Sequence, residues 1–134
     1  MAQGAFYFIK NVKKFSNLLN EDEKFAFVVA SLGYDLDHRG KSNSFEINTS
    51  SQLALRYHDI SPLEQHHAAV LFKILTSPRT NLMQKIDVTK SRNIRKMMIE
   101  NIKNTDMSVH FEMVSQFKKK LAEDESFGLK KGNF

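Results

Sequence analysis

The stretch SPLEQHHAAVLFKIL, Ser61 to Leu75, decides how the rest of this 134-residue chain is read. Serine, then proline, then glutamate two residues on is the signature of a capping box: Ser61 as N-cap, Pro62 at the first helical position, Glu64 reaching back. Behind it, Leu63, Val70, Leu71, Ile74 and Leu75 recur at helical spacing, and Ser77-Pro78 closes the run. A buried helix therefore starts with a carboxylate and two histidines, Glu64, His66 and His67, in its first turns.

Outward from this helix the same period repeats. Phe8, Val12, Phe15 and Leu19 predict a helix over Ala5 to Leu19. Asn20 with Glu23 predicts a second capping box, opening a helix with Phe25, Val28, Val29 and Leu32 on one side and Gly33 as its stop. Asp35 to Ser51 is polar and weakly periodic, and is read as a long connection, a place where function concentrates. A short helix is expected over Ser51 to Tyr57, another over Ser91 to Asn104 with Ile94, Met98 and Ile102 inward, and a last one over Met107 to Ala122 with Phe111, Val114 and Leu121 inward. Glu123 to Phe134 is charged and reads as a frayed, mobile tail. No period-two strand and no internal repeat stands out. The fold class is all-α, a compact multi-helix array in a single domain rather than an up-down bundle.

Composition narrows the chemistry. The chain has no cysteine, so disulfides and thiolate zinc sites are excluded, and any metal must be held by oxygen and imidazole. A net charge of +5 and a pI near 9.5 invite an anionic partner. The lysines, however, are dispersed over helical faces, and Lys118-Lys119-Lys120 is followed at once by Glu123, Asp124 and Glu125. A nucleic-acid partner is therefore not expected, since a recognition helix is also lacking. Apolar runs are short and broken by charge, and no leader-like segment stands out at the start, so the expected location is the cytoplasm.

Three polar clusters could carry chemistry. Asp35, Asp37 and His38 either converge on a divalent ion or form a solvated turn whose aspartates cap backbone N–H groups. Glu64 and His67, three apart, either share a carboxylate–imidazole hydrogen bond or belong to a capping box and a satisfied core histidine. Thr105-Asp106-Met107-Ser108 with His110 sits at a helix junction where Thr or Asp would cap the next helix.

In order and spacing these clusters resemble the catalytic domain of the class I 3′,5′-cyclic-nucleotide phosphodiesterases. The family's H-D-x-x-H with a downstream Asn is matched by Tyr34-Asp35-Leu36-Asp37-His38 and Asn43. Its L-E-x-H-H is matched by Leu63-Glu64-Gln65-His66-His67, with Phe72 following. Its T-D-M-S-x-H-F is matched in full by Thr105 to Phe111. The stretch NTSSQLALRYHDISPLE between the first two also looks like the family's helix and turn, and the resemblance covers about residues 25 to 121. It implies a helical domain of the HD type that hydrolyses cAMP, cGMP or both to the 5′-monophosphate. Two divalent ions, zinc with magnesium or manganese, would share a bridging hydroxide. Carried over, Asp35 is the carboxylate bridging both ions, and His38 contacts the metal-bound water network. Glu64 orients the proton-donating histidine, Thr105 touches the water network, and His67 faces the pocket.

The departures are equally specific. The family's zinc takes two histidines and two aspartates. Tyr34 stands at one histidine position, where a phenol, protonated at neutral pH, is a poor ligand. No histidine precedes His38, so the H-N-x-x-H-A motif with the second ligand and the proton donor is not found, nor is the later aspartate. Asp35 alone remains. The expectation is an internal piece of a phosphodiesterase catalytic domain that is inactive by itself, retains no metal pair and self-associates through exposed apolar faces. The alternative is a pseudoenzyme or regulatory helical interaction module whose metal site has decayed.

Overall fold

The computed structural model describes residues 1–123. Among the described residues the chain is helical without strands, in the order α1 (Ala2–Asn11), α2 (Lys13–Leu18), α3 (Glu21–Gly33), α4 (Asn43–Asn48), α5 (Gln52–Tyr57), α6 (Pro62–Leu75), α7 (Val88–Lys103) and α8 (Met107–Glu123). The all-α expectation holds. The tail expected to be mobile lies almost wholly outside the described residues.

The core forms where α3, α6 and α7 meet. Ala26, Val29 and Ala30 from α3, Ala68, Leu71, Phe72 and Leu75 from α6, and Ile94, Met98 and Ile102 from α7 make one buried cluster. The α7 residues recur every four positions, so one stripe of that helix is consumed entirely. Small side chains on α3 let it approach closely. At Gly33 a Cβ would lie 2.8 Å from both methyl carbons of Leu71, so any larger residue would force the Leu71 side chain to shift.

Several local expectations are met and several are corrected. Asn20 and Glu23 do form a capping box: Asn20 Oδ1 accepts from the Asp22 and Glu23 amides, and Glu23 Oε2 accepts from the Asn20 amide at 2.8 Å. The helix expected over Ala5 to Leu19 is two helices. Val12 leaves the helical region at φ −98°, ψ 86°, just after Asn11, whose side-chain Nδ2 donates back to the Tyr7 carbonyl at 3.1 Å. The Asp35–Ser51 connection contains α4, capped by Ser42 Oγ on the Phe45 amide. Leu32 and Phe111, expected inward, are 65% and 78% exposed. For Phe111 the reason is that the body of the fold packs little against α8, whose apolar stripe therefore faces outward.

Candidate active site

Gly33 brings the end of α3 against α6, and the following loop is stitched to α6 by its two histidines. Both are buried. His67 Nδ1 lies 2.6 Å from the Leu36 carbonyl, which can only accept, so Nδ1 carries the proton and, in the neutral ring, Nε2 holds the lone pair. His66 Nε2 donates to Asp37 Oδ2 at 2.7 Å, and Arg39 Nη2 approaches the same oxygen at 3.9 Å. The hydrogen bond from His66 holds the Asp37 carboxyl below the usual carboxylate range against an opposing desolvation, with the charges of His66, Arg39 and His67 acting in the same direction as the bond. Asp37 takes a left-handed backbone at φ 58°, a conformation aspartate tolerates better than most residues.

The start of α6 is not built as its sequence suggests. Ser61 sits at φ 42°, ψ 54°, outside the extended region an N-cap requires, and makes no capping bond. Its Oγ instead donates to Asp106 Oδ2 at 2.7 Å, across 45 residues of chain. The cap comes from Asn43, whose Oδ1 accepts from the Leu63 amide at 3.0 Å while its Nδ2 donates to Glu64 Oε2 at 2.8 Å. Glu64 is therefore committed to Asn43. The hydrogen bond considered between Glu64 and His67 does not form: Glu64 Oε2 is held by Asn43 and His67 Nδ1 by the Leu36 carbonyl.

At the third cluster, Asp106 is the buried cap of α8. Its Oδ1 accepts from the Ser108 amide at 2.8 Å and its Oδ2 from Ser61. Burial alone would raise the Asp106 pKa, but the hydrogen bonds from Ser61 and Ser108 outweigh it and hold the carboxyl below its ordinary range. Thr105 Oγ1 donates to the Ile102 carbonyl at 2.7 Å. His110 is exposed, its ring against Phe111.

These segments enclose one side of a cavity of about 520 Å³, lined among others by His38, Lys41, Asn43, Glu64, Thr105 and Asp106. Of the residues singled out in the sequence, His38, Glu64 and Thr105 thus share a cavity. Asp35 and His67 do not line it. They lie side by side, Asp35 Oδ1 3.8 Å from His67 Nε2, beyond direct hydrogen bonding. The His38 ring lies 5.7 Å from that of His67, and its Nδ1 accepts from the Gly40 amide at 3.0 Å. A neutral His38 ring therefore carries its proton on Nε2 and offers a donor, not a metal-ligating lone pair. Tyr34 is half-buried and packs against the core cluster.

The donor set present does not make a two-metal centre. Among the described residues no three His, Cys, Asp or Glu side chains are grouped to hold an ion. His66 Nε2 and Asp37 Oδ2 are spent on each other, His38 spends Nδ1 on Gly40, and Asp35 beside His67 is one pair, short of the ligand count a divalent ion needs. Sequence reasoning missed the Asp37–His66 pair, the cavity side chain Lys41 and the Ser61–Asp106 link. Two aspartates in one cluster facing two histidines in another was the available signal for the first. The other two had none.

A helical array that collects three ordered His/Asp/Glu motifs around one cavity defines the class of protein. The chain matches the family described as 3′5′-cyclic nucleotide phosphodiesterase over residues 1–133, and it belongs to that family. It is 45% identical over 94 residues to the human high affinity cGMP-specific 3′,5′-cyclic phosphodiesterase 9A, covering 70% of this chain and 16% of that protein. It is 37% identical over 112 residues to the Dictyostelium discoideum 3′,5′-cyclic-AMP phosphodiesterase 4, covering 84% of this chain and 11% of that protein. The crystal structure of the phosphodiesterase domain of Salpingoeca rosetta rhodopsin phosphodiesterase superposes with a TM-score of 0.74 at 39% identity, covering 75% of this chain and 31% of that one. The chain thus spans about a third of the solved domain and less than a fifth of these curated relatives. The family is one of divalent-metal-dependent hydrolases. Among the described residues no helix is long and apolar enough to cross a membrane.

Proposed function

We propose that this chain is part of a single catalytic domain that hydrolyses cAMP, cGMP or both to the 5′-monophosphate, and that on its own it is inactive. The observation that carries the reading is the cavity itself, where His38, Glu64 and Thr105 meet although they come from three separate segments. His38, with Nε2 as donor, would hydrogen-bond water at the phosphate. Glu64, fixed by Asn43, would orient a proton-donating histidine, and Thr105 would complete the water network. Lys41 adds a positive charge suited to a cyclic phosphate. His67, held by the Leu36 carbonyl, would keep Asp35 in place. In the intact domain the ions would be zinc with magnesium or manganese, Asp35 being this chain's contribution, and the location would be cytoplasmic. Exposed Met107 and Phe111 support self-association of the isolated chain.

Tyr34 favours a second reading, a pseudoenzyme or regulatory helical module. A ring packed on the core is not available as a ligand. A segment exchange separates the two. Residues 25–121 would replace the matching segment of the human 9A enzyme, with Tyr34 retained or with Tyr34→His, and zinc content and cGMP hydrolysis would be measured. The proposal expects the folded chimera to hold zinc and hydrolyse cGMP with Tyr34 retained, and Tyr34→His to raise both. A folded Tyr34 chimera with neither zinc nor hydrolysis, rescued by Tyr34→His, would sink the catalytic reading in favour of the second.

A further inference from the structure

We propose that the outward surface of α1 and α2 docks on an anionic lipid surface. The inward side of α1 is settled by its packing on α3: Ala5 is buried there, and Ala2, Ile9 and Val12 are half-buried at the same helical spacing. Phe8 is taken up at the flank, edge-on to Phe15, which is in turn edge-on to Phe27. Tyr7 meets the Phe8 ring edge-on, yet Phe6 and Tyr7 both stay largely in the open. They are 57% and 59% exposed, turned away from α3, and Lys10 Nζ sits 5.6 Å from the centre of the Phe6 ring. Lys13 and Lys14 follow, exposed at the start of α2, and Leu18 is exposed at its end.

Charge fixes the kind of partner. Residues 1–20 contain Lys10, Lys13 and Lys14 and no acidic residue. The acids that come next do not oppose them: Glu21 pairs with Lys24 at 2.8 Å, Asp22 with Lys90 at 2.9 Å, and Glu23 caps the Asn20 amide. Adjacent exposed aromatic rings with flanking ammonium groups match the headgroup boundary of a membrane, where rings sit at the acyl edge and lysines meet phosphates. A nucleic acid is the weaker fit. The stretch has no arginine, and its rings stand on the outside of a helix rather than along a groove that could track a strand. Docking is peripheral, as no described helix can span, and it is independent of the catalytic reading.

The test is co-sedimentation of the 134-residue chain with phosphatidylcholine vesicles with and without phosphatidylserine, helical circular dichroism verifying that every variant is folded. Binding should require phosphatidylserine and fall steeply as NaCl rises from about 0.1 to about 0.5 M. Lys10→Glu with Lys13→Glu and Lys14→Glu should weaken it at least about 100-fold, each lysine near the surface contributing about fivefold. Phe6→Ser with Tyr7→Ser should weaken it about 10-fold or more, since two exposed rings lose their apolar contact. No binding by the folded chain, equal binding to neutral vesicles, or indifference to both sets of variants would each overturn the proposal. So would comparable binding to a single-stranded oligonucleotide, or self-association that the Phe6 and Tyr7 variants abolish.

Discussion

Removing the Asp106 carboxylate should be among the most damaging single polar changes in this fold. Asp106→Ala deletes two acceptors at once. The Ser108 amide loses its cap, worth about 1 kcal/mol, and the Ser61 hydroxyl loses a bond to a charged acceptor, worth about 1.5–3 kcal/mol. Because Asp106 is only 7% exposed, water does not simply replace it. Relaxation of the left-handed Ser61 backbone returns part of the loss, leaving about 3 kcal/mol. Followed by helical circular dichroism in urea, with a slope of about 1.5 kcal/mol/M, the midpoint should fall by about 2 M. Asp106→Asn keeps one acceptor oxygen and should lose about half as much. Combining Asp106→Ala with Ser61→Ala should reveal a coupling of about 1–2 kcal/mol. The folded pKa of Asp106 is depressed, so its contribution is present above the unfolded value of about 3.9 and is lost as pH falls through the lower folded value. The gap between wild type and Asp106→Asn should hold from pH 7 to about 5 and shrink below about 4. A midpoint shift under about 0.3 M, or zero coupling to Ser61, would refute the reasoning.

Three further outcomes are expected. Asn43→Ala removes the cap on the Leu63 amide and the donor to Glu64, and should cost about 1–2 kcal/mol in guanidinium unfolding, whereas Ser61→Ala without its Asp106 partner should show no capping loss. Gly33→Ala puts a methyl 2.8 Å from the Leu71 side chain and should cost about 1–3 kcal/mol, lowering the melting temperature by about 5–10 °C. Tyr34→Phe should stay within about 0.5 kcal/mol of wild type and Tyr34→Ala should cost about 1–3 kcal/mol, as expected for a half-buried packing ring. Equal losses from the two would mean that the hydroxyl, not the ring, is what the fold uses.

What was legible in the sequence was what depends on local period and local capping. Ile94, Met98 and Ile102 announce a buried stripe by their spacing alone, and Asn20 with Glu23 announces a box that closes over three residues. Ser61-Pro62-Leu63-Glu64 carries an equally clear local signal and is used differently. Its serine is claimed by Asp106 and its glutamate by Asn43, partners 45 and 21 residues away that no short window contains. The site shows the same division. The family resemblance grouped His38, Glu64, Thr105 and His67, and of these the first three share a cavity. It could not show that Asp35 lies beside His67 outside that cavity, or that Asp37 is bound to His66, because those pairings depend on how closely Gly33 lets α3 approach α6.

Glu64 holds Asn43, Asp106 holds Ser61 and caps α8, His66 holds Asp37, and His67 holds the Leu36 carbonyl. Each of these bonds fixes the scaffold whether or not an ion is bound, and leaving the buried His66, His67 or Asp106 unpaired would cost the fold. A scaffold that had lost its chemistry would therefore keep the same motif letters, so L-E-x-H-H and T-D-M-S argue for the family more than for activity. Tyr34 is different in kind. At that position a histidine would serve an ion, while the tyrosine present serves the core. The single residue that breaks the motif is thus the one whose replacement can separate a working phosphodiesterase segment from its structural remainder.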